Sequence, residues 1–480
     1  MADGIRRIPV ERACRPFGWL RAVAGRPYPA LLESAQHSEP LGLYSLLCWD
    51  PFLKATCAGG CLEVEDLRTG RKDVRRGDPL RRLADEFARR RLAAPEGWDL
   101  PFAGGAVGYF SYDLRHRIES LPRLCDYDLA VPEFCLCFYD GGLVFDHRRG
   151  VTEWVGPAGR EPDLPEPADP ALRSALRRAK KSEAPQPVEP VRLASNFTRQ
   201  QYLAAVRRAI EYIAAGDIFQ VNLSQRFSGV CPSDGLAVYS RLRRVNPAPF
   251  AAYLRHDGLE VISSSPERFL LVEGDRVTTR PIKGTRPRRE GDEPFNRRMR
   301  EELRRSAKDH AELTMIVDLE RNDLGRVCTY GSVRVAEHAV IEAYPTVFHL
   351  VSTVTGRLYR PEHDEFSLIR AAFPGGSITG APKIRAMEII EELEPHARTV
   401  YTGAVGYVSF HGRMDLNIAI RTMVKLGGRV YFQVGGGIVA DSDPQLEYEE
   451  TLHKGKALFE ALGSTTYDDI MQAAGHDERQ

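Results

Sequence analysis

Between residues 8 and 155 the apolar positions fall in short runs that predict strands. Leu41 to Leu47 and Gly142 to Phe145 are two of them, each ended by turn or charge signals. Gly104-Gly105-Ala106-Val107-Gly108-Tyr109-Phe110 recurs in kind as Gly403-Ala404-Val405-Gly406-Tyr407-Val408, which predicts two related β-rich lobes that pack together. A helix is expected from Thr198, whose hydroxyl and Gln201 form a capping box. Tyr202, Val206, Ile210 and Ile213 give its apolar stripe and Gly216 its stop. Asp217 to Ser224 alternates like a strand, and Val261 to Ser265 is a strand that runs into Pro266-Glu267-Arg268. Helical spacing returns over Leu303 to Arg321. Further on, Pro374 to Lys383 is a glycine-rich loop entering a helix whose exposed face would carry Glu388 to Glu394. Tyr401 to Phe410, Asp415 to Val424 and Val430 to Val434 read as a three-stranded meander, and Gln445 to Leu462 as a last helix.

Eight prolines punctuate residues 156–196, which reads as a linker carrying a short helix around Leu172 to Lys180. The expected organisation is a lobe at 8–155, this linker, a second unit at 197–465 and a tail at 466–480. Sixty-six basic and 66 acidic residues cancel, which argues against bulk nucleic-acid binding. No apolar run approaches the roughly 18–20 residues of a membrane span, and the N-terminus lacks the apolar core of a signal peptide. The nine cysteines show no zinc-finger spacing and are expected to be reduced and mostly structural, in a cytoplasmic protein.

Candidate chemistry centres on Arg280 to Arg288. Lys283 follows an apolar Pro281-Ile282 pair among arginines, so desolvation and like charge would both favour its neutral, nucleophilic form; a solvated basic loop is the alternative. Glu267 sits at a strand end, as an acid or as the partner of Arg268. Asp309 and Glu312 share a helix face, as do Glu447 and Glu450, and such carboxylates suit a hard cation or simply water. Arg421 could line an anion pocket. Gly435 to Ala440 fits a dinucleotide fingerprint only on paper, because Asp441 to Pro444 break the helix it needs.

The motifs SPE at 265–267, PIKGTRPR at 281–288, MIVDLERNDLGR at 315–326, HLVSTV at 349–354 and FPGGSITGAPKIRAMEII at 373–390 resemble the chorismate-utilising enzymes. YTGAVGYVSF at 401–410, DLNIAIRT at 415–422 and VGGGIVADSDPQLEYEET at 434–451 continue the likeness, which is dense over 195–465. It implies an α+β fold: a large β-sandwich core of two related lobes with helices packed outside. Isochorismate- and salicylate-forming relatives carry a lysine base where this chain has Gln220, and anthranilate-forming relatives an alanine where it has Lys283. Lysine there is similar to the branch that aminates ring carbon 4 of chorismate, toward 4-aminobenzoate and folate.

The resemblance further implies Mg2+ held by Glu312, Glu447 and Glu450, with Asp309 acting through water. Glu267 would be the general acid and Lys283 a nucleophile at ring carbon 2. Tyr401 and Arg421 would hold the enolpyruvyl carboxylate. Ser377, Thr285 and the backbone of Gly435, Gly436 and Gly437 would add substrate contacts, with His349 near the ring carboxylate. No G-x-C-x-G nucleophile motif is present, so ammonia is expected from a glutamine amidotransferase subunit. Glu33 and Ser34 resemble an element that binds tryptophan in relatives, and Tyr44, Pro249 and Phe250 would complete the pocket. An anthranilate-forming enzyme is the alternative within the family; a non-catalytic chorismate- or tryptophan-binding subunit is the alternative outside catalysis.

Overall fold

The structure is a computed structural model that describes residues 4–10, 15–36, 41–158, 187–344 and 347–467. At its middle the two similar glycine-rich segments lie side by side. Strand Gly105–Phe110 pairs antiparallel with Ala404–Ser409, and Gly108 stands opposite Gly406. A Cβ on either glycine would collide with the backbone of the next strand out, at Cys135 and at Asp415 respectively. Only glycine permits that approach.

Strands Phe134–Tyr139 and Leu53–Ala58 extend this sheet on one side, and Met414–Ile418, Arg268–Glu273, Arg276–Arg280, Val347–Arg357 and Ile282–Pro287 on the other. The second sheet runs from Ile5–Pro9 through Val151–Pro157, Gly142–Asp146, Tyr44–Cys48 and Ala30–Glu33. It continues through Phe250–His256, Leu259–Ser265, Thr422–Leu426, Arg429–Ile438 and Gln220–Val230 to Ala194–Ser195. Among the described residues each sheet has twelve strands, and each draws strands from both sides of the proline-rich 156–196 segment.

The sheets face one another. Val107, Tyr109, Cys137 and Tyr139 of the first pack with Ala30, Leu46, Val144, Leu254 and Val261 of the second in one buried cluster. Helices cover the outer faces, with Leu20, Leu83, Phe87, Val206, Leu313, Ile389 and Leu458 buried beneath them. This is the expected α+β sandwich with helices outside.

Several local expectations hold. Thr198 and Gln201 form the capping box of helix Arg199–Ala214. The last helix is Pro444–Ala461, and the strand ending before Glu267 is Leu259–Ser265. Others are corrected. The helical stretch Leu303 to Arg321 is two helices, Glu293–Arg305 and Ala307–Gly325. Ser306 stands extended between them and its hydroxyl accepts from the Asp309 N–H at 3.3 Å, so it caps the second.

The meander is broken as well. The chain leaves one sheet at Ile418, passes Arg421 at φ +52°, and enters the other at Thr422. Glu391 and Glu394, expected on an exposed helix face, are buried against Arg115 and Arg398. The helix expected around Leu172 to Lys180 lies outside the described residues. No helix of the described residues is long and apolar enough to cross a membrane.

Candidate active site

Lys283 lies on strand Ile282–Pro287, opposite Leu350 of Val347–Arg357, and a register shift follows at Gly284. Gly284 adopts φ +69°, and a Cβ there would stand 2.8 Å from the Leu303 side chain and 2.9 Å from that of Asp309. That residue must be glycine for the helices at 293–325 to close on the strand. The result turns the lysine inward: its side chain is 12% exposed and Nζ lies 3.9 Å from Oε2 of Glu312. Burial lowers its pKa, the Lys454 charge lowers it further, and the Glu312 and Glu267 carboxylates oppose both.

Glu267 is buried just past the end of Leu259–Ser265, and its Oε1 accepts a hydrogen bond from Ser377 Oγ at 2.7 Å. Burial lifts its pKa to about 7; the Ser377 bond and the Lys283 charge hold it from rising further. A carboxyl that keeps its proton near neutrality and an amine that can lose one are therefore electrostatic neighbours. That pairing suits acid-assisted departure of a leaving group and nucleophilic attack.

Glu312, on helix Ala307–Gly325, and Glu447 and Glu450, on Pro444–Ala461, face the same region. Oε1 of Glu447 accepts from Ser442 Oγ at 2.6 Å, and Lys308 lies 3.8 Å from the same oxygen. Lys454 reaches back one turn to Glu450 at 2.5 Å. Burial raises the pKa of Glu312 and of Glu447, whereas the Lys454 charge lowers that of Glu450. A Cβ on Gly436 would stand 3.2 Å from Oε2 of Glu447 and 3.6 Å from Oε1 of Glu450. One on Gly437 would collide with Gln220 and lie 3.5 Å from Nζ of Lys283. The glycines are thus the floor between the lysine and the acids, within strand Arg429–Ile438.

These donors are hard oxygens, and the raised pKa values of two of them reflect carboxylates buried without enough positive charge. That fits a divalent cation. Their oxygens are not drawn together as a closed cage: among the described residues the only His, Cys, Asp and Glu trio with ligand atoms mutually within 4.8 Å is Cys135, Cys137 and His256.

His349, opposite Thr285 across the strand pair, is buried, with Nδ1 3.0 Å from Thr285 Oγ1. Burial and then the nearby Arg421 charge push its pKa down to about 3, so the imidazole is neutral. Arg421, at the crossing between sheets, accepts at its carbonyl from the Ser264 N–H at 3.1 Å, but its guanidinium makes no hydrogen bond or ion pair among the described residues, and burial lowers its pKa. Tyr401 is buried beside Arg398, whose guanidinium sits 5.7 Å from its ring centroid. The next residue, Thr402, bonds to Ala419 two positions before Arg421.

Sequence reasoning missed Lys454, though its i,i+4 spacing from Glu450 was a usable signal. It also missed buried Glu320, an electrostatic neighbour of Glu267 whose pKa burial raises strongly, and the Lys383–Asp323 pair at 2.6 Å.

Glu33, Ser34, Tyr44, Pro249 and Phe250 line a different space, a cavity of about 530 Å³. Ser34 Oγ donates to the carbonyls of Tyr44 (2.7 Å) and Pro249 (3.2 Å), and Glu33 accepts from Tyr239 and Arg243, each at 2.7 Å.

The chain belongs to the chorismate binding enzyme family, whose profile matches residues 43–460. Within it, the chain is 40% identical to aminodeoxychorismate synthase component 1 of Escherichia coli over 91% of its own length and 93% of that protein's. It is 45% identical to anthranilate synthase component 1 of Thermus thermophilus, over 80% of this chain and 82% of that protein. Among solved structures, anthranilate synthase component I of Streptococcus pneumoniae TIGR4 superposes with a TM-score of 0.73 at 32% identity, covering 88% of this chain and 93% of that one.

Proposed function

We propose that this chain is the chorismate-aminating component of an aminodeoxychorismate synthase, converting chorismate and ammonia to 4-amino-4-deoxychorismate and water. The observation that carries this reading is the pair at the centre of the site. The pKa of Lys283 is lowered by burial, and it neighbours Glu267, whose carboxyl stays protonated to about pH 7.

In this reading neutral Lys283 attacks ring carbon 2 while both conjugated double bonds of the ring shift and the 4-hydroxyl departs. Glu267 gives that oxygen its proton, so water leaves. Ammonia then adds at carbon 4, both double bonds return, the lysine amine is expelled from carbon 2, and the proton lost by the new amine restores Glu267. Two displacements leave the amino group on the face the hydroxyl occupied. Arg421, a guanidinium with no partner among the described residues, and Tyr401 hold the enolpyruvyl carboxylate. Ser377 orients the Glu267 proton, and neutral His349, fixed by Thr285, sits near the ring carboxylate as a hydrogen-bonding group. A divalent cation, Mg2+ in this reading, would be held by Glu312, Glu447 and Glu450 and would supply charge neutralisation for the ring carboxylate. Ammonia is supplied by a separate glutamine amidotransferase subunit, and the enzyme works in the cytoplasm.

Chromatography of the products from chorismate, an ammonium salt and Mg2+ tests the reading. Aminodeoxychorismate supports it, and absence of any amination overturns it. Anthranilate would place the chain with the second reading, anthranilate synthase component 1, which the Thermus relative favours by its 45% identity.

A further inference from the structure

Far across the sheet from Lys283, the sandwich interior holds a second cluster with chemistry of its own. Cys135 and Cys137 alternate along Phe134–Tyr139, so both thiols point to one face, and both are buried. His256 closes strand Phe250–His256 of the facing sheet and is also buried. Its Nδ1 lies 3.4 Å from Sγ of Cys137, and one ligand atom from each of the three residues falls within 4.8 Å of the others. Zn–S and Zn–N bonds of about 2.3 and 2.0 Å set neighbouring ligand atoms roughly 3.5–4 Å apart, so little movement would close the sphere.

A second observation points the same way. Tyr109 stands opposite Cys135 in the strand ladder, is completely buried, and its hydroxyl has no hydrogen-bond partner among the described residues. That hydroxyl is within electrostatic reach of both thiols, and its ring lies 6.0 Å from that of His256. A buried hydroxyl without a partner is costly in an apolar core unless something there receives it. Around the cluster, Thr56 Oγ1 is 3.8 Å from Cys135 Sγ, and Lys54 is already paired with Glu65 and Asp257.

We propose that Cys135, Cys137 and His256 form a structural Zn2+ site that ties the two sheets together, with the Tyr109 hydroxyl facing the ion. Two soft thiolates and an imidazole select a thiophilic metal. Charge selects a divalent one: two thiols release two protons on binding, and two thiolates with Zn2+ sum to zero in a core that disfavours net charge. The site is sealed, so the metal enters as the sheets close during folding.

The full chain is produced in medium supplemented with Zn2+ or with Co2+, dialysed against a chelator, and its metal content measured. About one Zn2+ per chain is expected to remain in the parent and to be lost in Cys135→Ala/Cys137→Ala. The Co2+-grown protein is expected to show a sulfur-to-cobalt charge-transfer band. The carboxylate cluster at Glu312 and Glu447 offers only oxygen and cannot give that band. Equal metal retention in parent and double variant overturns the proposal. So does a Co2+ protein lacking the band, a result that stands even if the variant does not fold.

Discussion

Ser377 donates its hydroxyl hydrogen to Oε1 of Glu267 at 2.7 Å, and this bond works against the burial that raises Glu267 to about 7. Removing it in Ser377→Ala leaves burial less opposed, so the Glu267 pKa rises. An acid is active while protonated, hence the alkaline limb of the kcat/KM profile is expected to move to higher pH. A hydrogen bond of about 1 kcal/mol corresponds to somewhat under one pH unit. A pH–rate series on the two proteins checks both direction and size.

Lys283→Ala removes the nucleophile while leaving the acid and the carboxylates in place. The expected loss in amination is about 10²–10⁴-fold, the range for a group acting directly in the chemical step. Intact-mass analysis after incubation with chorismate and Mg2+, without ammonia, should show an adduct on the parent and none on the variant. An unmodified parent together with a fully active variant would sink the covalent role.

The Arg421 side chain has no partner among the described residues, so its replacement separates binding from stability. Arg421→Gln is expected to weaken chorismate binding about 10–100-fold, the value of a charge-assisted contact of roughly 1.5–3 kcal/mol. The melting temperature should stay level or rise, because no side-chain bond among the described residues is lost. Equilibrium binding and a thermal melt on the same preparation decide it.

Glu391 and Arg115 make the opposite case, since both are buried and paired with one another. Burial alone would raise the Glu391 pKa. The hydrogen bond from His116 and the Arg115 charge outweigh it and hold the carboxyl well below the usual range. Its contribution to stability is therefore complete above the unfolded carboxylate pKa and is lost as pH falls through the folded value. Glu391→Gln leaves the buried guanidinium with the Asp113 carboxylate, at 2.9 Å, as its remaining counter-charge, so the cost is expected at or below the roughly 3–5 kcal/mol of a buried pair broken outright. Urea unfolding at neutral pH should show that loss, and the gap between parent and variant should shrink in acid.

How much of this was legible in the sequence depended on the range of the interaction. The Thr198 cap, the strand before Glu267 and the final helix are local, and the pattern placed them. The break at Ser306 was hidden because apolar spacing runs on through both helices. The crossing at Arg421 was hidden because Leu416, Ile418 and Ile420 keep alternating while the chain changes sheets. Glu391 looked solvated until Arg115, from the other half of the chain, came to meet it. The same holds for the site: Lys283, Glu267 and the three acids could be singled out by motif. The glycine floor at 436–437, the Lys454 counter-charge and the His256 that joins two cysteines exist only once strands from distant segments are adjacent.

The pairing of Gly105–Phe110 with Ala404–Ser409 also sets an order of events during synthesis. At about 5–20 residues per second, the partner strand leaves the ribosome roughly 15–60 s after the first, some 300 residues later. Through that interval the early strand offers a bare hydrogen-bonding edge, narrow at Gly108 and flanked by Val107 and Tyr109. Nascent chains that stall before residue 404 are thus primed to pair with one another, and the late-made half of the molecule acts as the intramolecular chaperone of the first.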